Sequence, residues 1–262
     1  MASQESDRDE DIDTATLLEK SQDFQRRRTV GRITVAVLAV SLVLNAILIG
    51  SNLIFLFRGN QPSYETGFDS DLLGVKSQIQ VIKNRFSGGV ELDQHGHFAV
   101  DPSGSQYVGE PSKEVDAAWR ELLNGLNLDL DASEYDPAGN TYQWEESGLY
   151  FTGLEVFHSL HCLNRLRQAF YPDHYKYIFN QPGDPSRHDH IGHCINQLRE
   201  ALQCHADLTP MEWKRVGDKI ILNTATEHQC RDFGQIHAWA QQRQTQFFKI
   251  PAVMNGSLVV VD

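Results

Sequence analysis

The chain has 262 residues, of which 40% are hydrophobic and 22% charged, a balance ordinary for a globular protein. Its net charge of -12 argues against nucleic acid as a partner, because phosphate binding requires a concentrated basic surface. The four cysteines, Cys162, Cys194, Cys204 and Cys230, all lie in the C-terminal half and none forms Cys-x-x-Cys, which argues against a zinc ribbon or a thioredoxin-like site.

Residues 1–32 open with an acidic, polar stretch poor in aromatics and are predicted to be a disordered tail. Residues 33–57, ITVAVLAVSLVLNAILIGSNLIFLF, carry no charge and are long enough, at ~1.5 Å per residue, to cross a hydrocarbon core of ~30 Å. They are predicted to form a single transmembrane helix; a cleavable signal peptide would sit nearer Met1 with a shorter apolar core. Asn45, Ser41, Ser51 and Asn52 are its mildly polar positions. Arg26, Arg27, Arg28 and Arg32 crowd the N-terminal flank while Arg58 stands almost alone on the other, so the positive-inside rule puts the N-terminus in the cytoplasm. The rest of the chain is then expected in the lumen of the endoplasmic reticulum, Golgi or secretory vesicles. In that compartment disulfides are favoured, and Asn255 of Asn255-Gly256-Ser257 becomes a glycosylation acceptor.

Residues 58–110 read as a stalk and the start of the lumenal domain, with LLGVKSQIQVIKNRF a short helix or strand and FSGGVELDQHGHFAV a hairpin. The main domain is expected over 111–262. It opens with KEVDAAWRELLNGL, a helix capped by Ser112 with Val115, Ala118, Trp119, Leu122 and Leu123 on one face. LNLDLDASEYDPAGNTYQWEESGLYFTG is turn-rich and aromatic, a structured loop or a wall beside the site. A capping box at Thr152 to Glu155 should start the next helix, and Asp184-Pro185 the one after it. MEWKRVGDKIILNTATEHQCRDF favours strands around a Gly-Asp turn, and DFGQIHAWAQQRQTQFF a last helix. The predicted fold is mainly α with some β: one transmembrane helix and one lumenal domain built around two motif helices.

Those two helices are a repeat in miniature, HSLHCLNRLRQ and HDHIGHCINQLRE, each carrying His-x-x-His-Cys. Helix positions three apart are surface neighbours, with Cβ atoms ~5–6 Å apart, so His158 with His161, and His190 with His193, each aim two imidazoles at one region. The cysteine that follows falls within about 100° of the same arc. A lone pair of this kind is usually incidental, whereas two in matching helices make a four-imidazole centre for copper, iron, nickel or zinc the stronger reading. A purely structural His/Cys zinc site is the rival. Among the remaining histidines, His205 and His228 are the reserve ligands because each stands beside or near a cysteine.

Cys194 and Cys204 lie ten positions apart on one predicted helix, ~15 Å by rise, beyond the ~7 Å limit for bridged Cα atoms. Two complete pairings remain. Cys162 with Cys194 and Cys204 with Cys230 would staple the motif helices together and is preferred; Cys162 with Cys204 and Cys194 with Cys230 would do so less directly.

From about Val115 to Trp239, through VDAAW, HSLHCLNRLRQ, HCINQLREALQCHAD and HQCRDF, the sequence resembles the UstYa-like oxidases. These are fungal membrane proteins with paired HxxHC motifs in the biosynthesis of cyclic peptides and other toxins. The resemblance implies an oxidoreductase that cyclises, hydroxylates or halogenates a peptide-derived precursor in secondary metabolism. His158, His161, His190 and His193 become its catalytic metal residues, with copper as the first choice of metal and iron as the alternative. Asp207 and Asp232 are expected to hold ligand histidines from behind, and Tyr142, Trp144, Tyr150 and Phe151 to be either core or an aromatic substrate wall. The expected partners are a peptide or peptide-derived small molecule, the membrane, and a homo- or hetero-oligomer with related oxidases. The alternative is a non-catalytic lumenal partner or scaffold, in which the HxxHC segments serve only packing and disulfides.

Overall fold

The computed structural model describes residues 3–59, 61–93, 95–100, 106–135, 141–179, 184–258 and 260. The chain divides into two compact units, 1–61 and 62–262. The first is helix α1, Ser3–Gly59, whose stretch Lys20–Leu56 is long and apolar enough to cross a membrane. Three of its polar side chains bond back to the helix: Asn45 donates to the carbonyl of Ser41 (2.8 Å), Ser51 to Ile47 (2.8 Å) and Asn52 to Leu48 (2.9 Å). Such bonds reduce the penalty these groups would bring to a lipid environment. The tail expected to be disordered is instead continuous with this helix from Ser3. Propagation from an existing helix adds one bond per residue and avoids the cost of a new nucleus.

The second unit mixes helix and strand more evenly than expected. Its elements are α2 (Leu73–Lys76), β1 (Val81–Arg85), β2 (Val90–Leu92), β3 (Phe98–Val100), α3 (Lys113–Leu122), β4 (Leu128–Leu130), β5 (Tyr142–Gln143) and β6 (Tyr150–Thr152). There follow α4 (Glu155–Ala169), α5 (Arg187–Cys204), β7 (Glu212–Val216), β8 (Lys219–Asn223), β9 (Glu227–Arg231), α6 (Phe233–Gln241) and α7 (Pro251–Met254). The strands are short and make small antiparallel sheets: β1 with β9, β2 with β3, β4-β6-β5, and β7 with β8. Each expected hairpin is present, and Gly217 takes a positive φ of 64° in the turn between β7 and β8. The segment LLGVKSQIQVIKNRF holds both a helical turn, α2, and a strand, β1. Ser112 caps α3, accepting from the amide of Val115 at 3.2 Å.

The core that positions the site is built from Leu128 and Leu130 of β4, Phe157 of α4, Trp239 and Ala240 of α6, and Val75 of α2. Phe157 is fully buried and fastens α4 to β4 and α6, leaving the adjacent face of α4 for α5. Two glycines permit this close packing. A Cβ on Gly153, at the entry to α4, would meet the carbonyl oxygen of Leu126 at 2.5 Å. Gly125, with φ +98°, lies so close to α6 that a Cβ would stand 2.9 Å from that of Ala240. A second cluster joins Trp144 to Phe247 and Ile250, with Phe151 packed on it. Of the two roles open to the aromatic segment, Trp144 thus has the core role.

Candidate metal centre

Helices α4 and α5 start differently from expectation. Leu154 is the N-cap of α4 and makes no side-chain cap, so the Thr152–Glu155 capping box does not form. The first turn of α5 is capped by Ser186, whose hydroxyl accepts from the amide of Asp189 at 3.2 Å, and not by Asp184. The two helices then pack directly on one another. Their order is antiparallel across the motifs: His158 meets His193, and His161 meets His190. Residue spacing pairs histidines within each helix, whereas the fold also sets His158 against His193 and His161 against His190 across the helices; among the described residues, the donor atoms that gather closely enough for one ion are those of His158, Cys162 and His193.

The array has a buried end and an open end. His161 and His190 are 6% and 7% exposed, with ring centroids 6.0 Å apart and planes inclined by 20°. Phe179 meets His190 edge-on at 6.2 Å, and Arg187 lies over Phe179 at 5.7 Å. At the open end, His193 is exposed and His158 half-buried, their Nε2 atoms 3.3 Å apart. The Sγ of Cys162 joins them, with all three donor atoms within 4.8 Å of one another. A separation of 3.3 Å matches the edge between two nitrogens bound at ~2.0–2.1 Å in a tetrahedral site. The donor set thus fits a metal that accepts imidazole and thiolate. Cys162, expected first as a disulfide partner with a His/Cys zinc site as the rival, lies beside His158 and His193, and both Cys162 and Cys194 are fully buried.

Glu155, which the sequence marked only as a capping residue, reaches the open end. Its Oε2 lies 3.4 Å from Nδ1 of His158 and accepts from Nε2 of Gln197 at 2.9 Å. Both spacings were legible, Glu155 three positions before His158 and Gln197 four after His193, but carried meaning only once α4 and α5 faced each other. Behind the site, VDAAW also finds its use. Arg167 of α4 donates to Asp116 (2.9 Å), Tyr175 (2.9 Å) and Asn164 (2.9 Å), and Tyr175 donates to Asp116 at 2.7 Å. Burial would raise the Asp116 carboxyl, but Tyr175 and Arg167 outweigh it and hold it below its usual value. The network ties α3 and the 171–179 segment to the back of α4.

The remaining predicted residues gather elsewhere. Asp207 does hold a histidine, but it is His228, whose Nδ1 is 2.6 Å away while its Nε2 meets the hydroxyl of Thr226 at 2.8 Å. Thr209, through its side chain and amide, and then His228 bring the Asp207 carboxyl down to about 2. Asp232 is the N-cap of α6, accepting from the amide of Gly234 at 2.9 Å. Cys204 is exposed at the end of α5, and Cys230 is half-buried on β9, where burial and then the Asp207 charge raise its thiol pKa. His205 contacts the carbonyl of Ala201 at 3.0 Å, and Asn255 is exposed after α7.

The chain thus joins a helix long and apolar enough to cross a membrane to a domain in which two His-x-x-His-Cys helices pack on one another. The chain belongs to the UstYa family: the family described as "Mycotoxin biosynthesis protein UstYa" matches residues 21–243. It is 30% identical to the UstYa family oxidase phomYd of Diaporthe leptostromiformis over 92% of this chain and 84% of that protein. It is 28% identical to phomYc of the same fungus, covering 91% of this chain and 94% of that one. The transacylase cctO of Talaromyces islandicus is 25% identical over 82% of this chain and 79% of its own length. No solved structure matches.

Proposed function

We propose that this chain is a metal-dependent oxidase of secondary metabolism that cyclises, hydroxylates or halogenates a peptide-derived toxin precursor. The observation that carries the reading is the convergence of His158 and His193, Nε2 to Nε2 at 3.3 Å, above a buried His161–His190 pair. His158, His161, His190 and His193 would hold the metal; copper is favoured over iron because imidazole and a nearby sulfur both suit it. Bound copper supplies the one-electron chemistry that oxidises a phenol or a side-chain carbon. The chain itself supplies access and exclusion. His193 faces solvent, so substrate reaches the open end, while Phe179 and the α4–α5 packing keep water from the buried pair. The family and the oxidase names of its members support the biosynthetic role.

In this reading α1 is a single-pass anchor with its N-terminus in the cytoplasm, and residues 62–262 work in the lumen. The oxidising lumen gives the Cys162 sulfur two fates, a bridge to Cys194 or a third ligand beside His158 and His193. Peptide mapping without reduction, on metal-free and metal-loaded chain, separates them; the preferred pairing also joins Cys204 to Cys230. The central test is metal content and product formation together. Full-length chain loaded with copper should hold close to stoichiometric metal. His158→Ala and His190→Ala should each abolish product in the producing host. Metal below about half an equivalent, with both variants active, would sink the reading.

One observation favours a second reading. Thr226, His228 and Asp207 follow one another as hydroxyl, imidazole and carboxylate, the order of an acyl-transfer relay, and one relative is named a transacylase. Acyl transfer would be lost in Thr226→Val and unaffected by removing copper, the opposite of the oxidase expectation.

A further inference from the structure

Glu155 stands at the mouth of the histidine array, outside the motif, and its contacts span both helices. One carboxylate oxygen, Oε2, lies 3.4 Å from Nδ1 of His158 on its own helix and accepts from Nε2 of Gln197 on α5 at 2.9 Å. From this geometry we propose that Glu155 is a positioning residue for the metal centre, fixing the tautomer and the ring plane of His158. The inference rests on the four-histidine reading above.

A neutral imidazole carries one N–H, and only its bare nitrogen has a lone pair for a metal. A carboxylate facing Nδ1 accepts a hydrogen bond, so it holds the proton on Nδ1 and leaves Nε2 bare. Nε2 is the atom of His158 that points at His193, 3.3 Å away. Without Glu155 the proton has no preference for Nδ1, and a proton on Nε2 blocks the donor that completes the open end. The buried end has no need of such help from this residue, because packing confines His161 and His190, whereas His158 and His193 face solvent.

Position matters as much as charge. Glu155 is the first residue of α4, its side chain is 79% exposed, and its contact with His158 is long, so by itself it would hold the ring weakly. Gln197 supplies the missing restraint. It lies one turn beyond His193 on α5, so a single carboxylate is pinned by α5 while it orients a histidine of α4. The pair Glu155–Gln197 therefore also sets the separation of the helices at the open end, where the donors must be spaced for one ion.

The test uses the full-length chain in detergent, loaded with copper, with affinity measured by competition and the site read by electron paramagnetic resonance. Glu155→Ala should weaken copper binding by about 10–100-fold and change the spectrum, while circular dichroism and the thermal midpoint of the metal-free chain stay at wild type. Glu155→Gln keeps an acceptor for Nδ1 and should recover part of the affinity. Gln197→Ala should give a smaller loss in the same direction. Wild-type affinity and an unchanged spectrum in Glu155→Ala would overturn the assignment while leaving the four-histidine reading intact. A wild-type chain that takes up no copper would overturn both. As a readout that needs no metal, the imidazole nitrogen shifts of His158 should report Nδ1–H in wild type and a mixed population in Glu155→Ala; the mixed population already in wild type would also overturn it.

Discussion

Asp129 shows how one carboxylate secures the cluster around Trp144. It accepts from Nε1 of Trp144 (2.8 Å), from the Thr245 hydroxyl (2.8 Å) and from the amide of Gln246 (2.7 Å). Because Trp144 is only 1% exposed, losing the acceptor strands a buried donor. Asp129→Ala should cost about 3 kcal/mol, and Trp144→Phe, which removes the donor as well, clearly less; thermal unfolding of the metal-free chain measures both. Asp207 makes a pH prediction at the same scale. Its carboxyl is depressed from 3.8 to about 2 by Thr209 and then His228. A depressed carboxyl contributes stability that is complete above its unfolded value and lost as pH falls through its folded one, so the loss runs from about pH 3.8 down to about 2. An acid titration of stability should show that slope in wild type and lack it in Asp207→Asn.

At the scale of elements, the site depends on how α4 is seated. Phe157 anchors it in the core, and the loop before it passes under Leu126 only because residue 153 is glycine. Phe157→Ala should therefore cost about 3–5 kcal/mol and release copper along with stability, since the helix and its histidines move together. Gly125, in the turn after α3, is a sharper test of the close approach to α6. At φ +98° and 2.9 Å from Ala240, Gly125→Ala meets both backbone strain and a clash and should cost about 2 kcal/mol. Gly96, with φ +79° but nothing within 4 Å, shares the strain alone, so Gly96→Ala should cost about half as much. Equal losses would mean that the close approach of α6 contributes nothing.

With α1 as the proposed anchor, the deciding quantity for the whole molecule is which side of the membrane carries the domain. Arg26, Arg27, Arg28 and Arg32 on the N-terminal flank make a lumenal domain the expectation, with Asn255 exposed after α7 as its reporter. Glycosidase treatment of the chain from a fungal host should increase its mobility by one glycan, and Asn255→Gln should abolish the shift. An unmodified Asn255 in a chain that still makes product would move the domain to the cytoplasmic side or the acceptor out of reach.

The one-dimensional pattern was sufficient for what depends on local periodicity. The apolar run of α1, the cap of α3 by Ser112, the hairpin turn at Gly217 and the HxxHC helices all follow from residue spacing and turn chemistry. It also marked His158 and His193, whose Nε2 atoms the fold brings to 3.3 Å. What depended on folding was everything set by contact between elements distant in sequence: the cross-pairing of His158 with His193, Cys162 drawn among the imidazoles, and Glu155 diverted from a helix cap to a histidine. Asp207 and Asp232 illustrate the same limit from the other side. The habit of carboxylates of orienting ligand histidines made them candidates, but the segment after α5 brings Asp207 to His228, and the start of α6 claims Asp232 as its cap. A helix fixes which residues share its face, because rise and twist are local; which face of which partner it meets is decided by burial of Phe157, Leu128 and Trp239 together, and no local spacing encodes that.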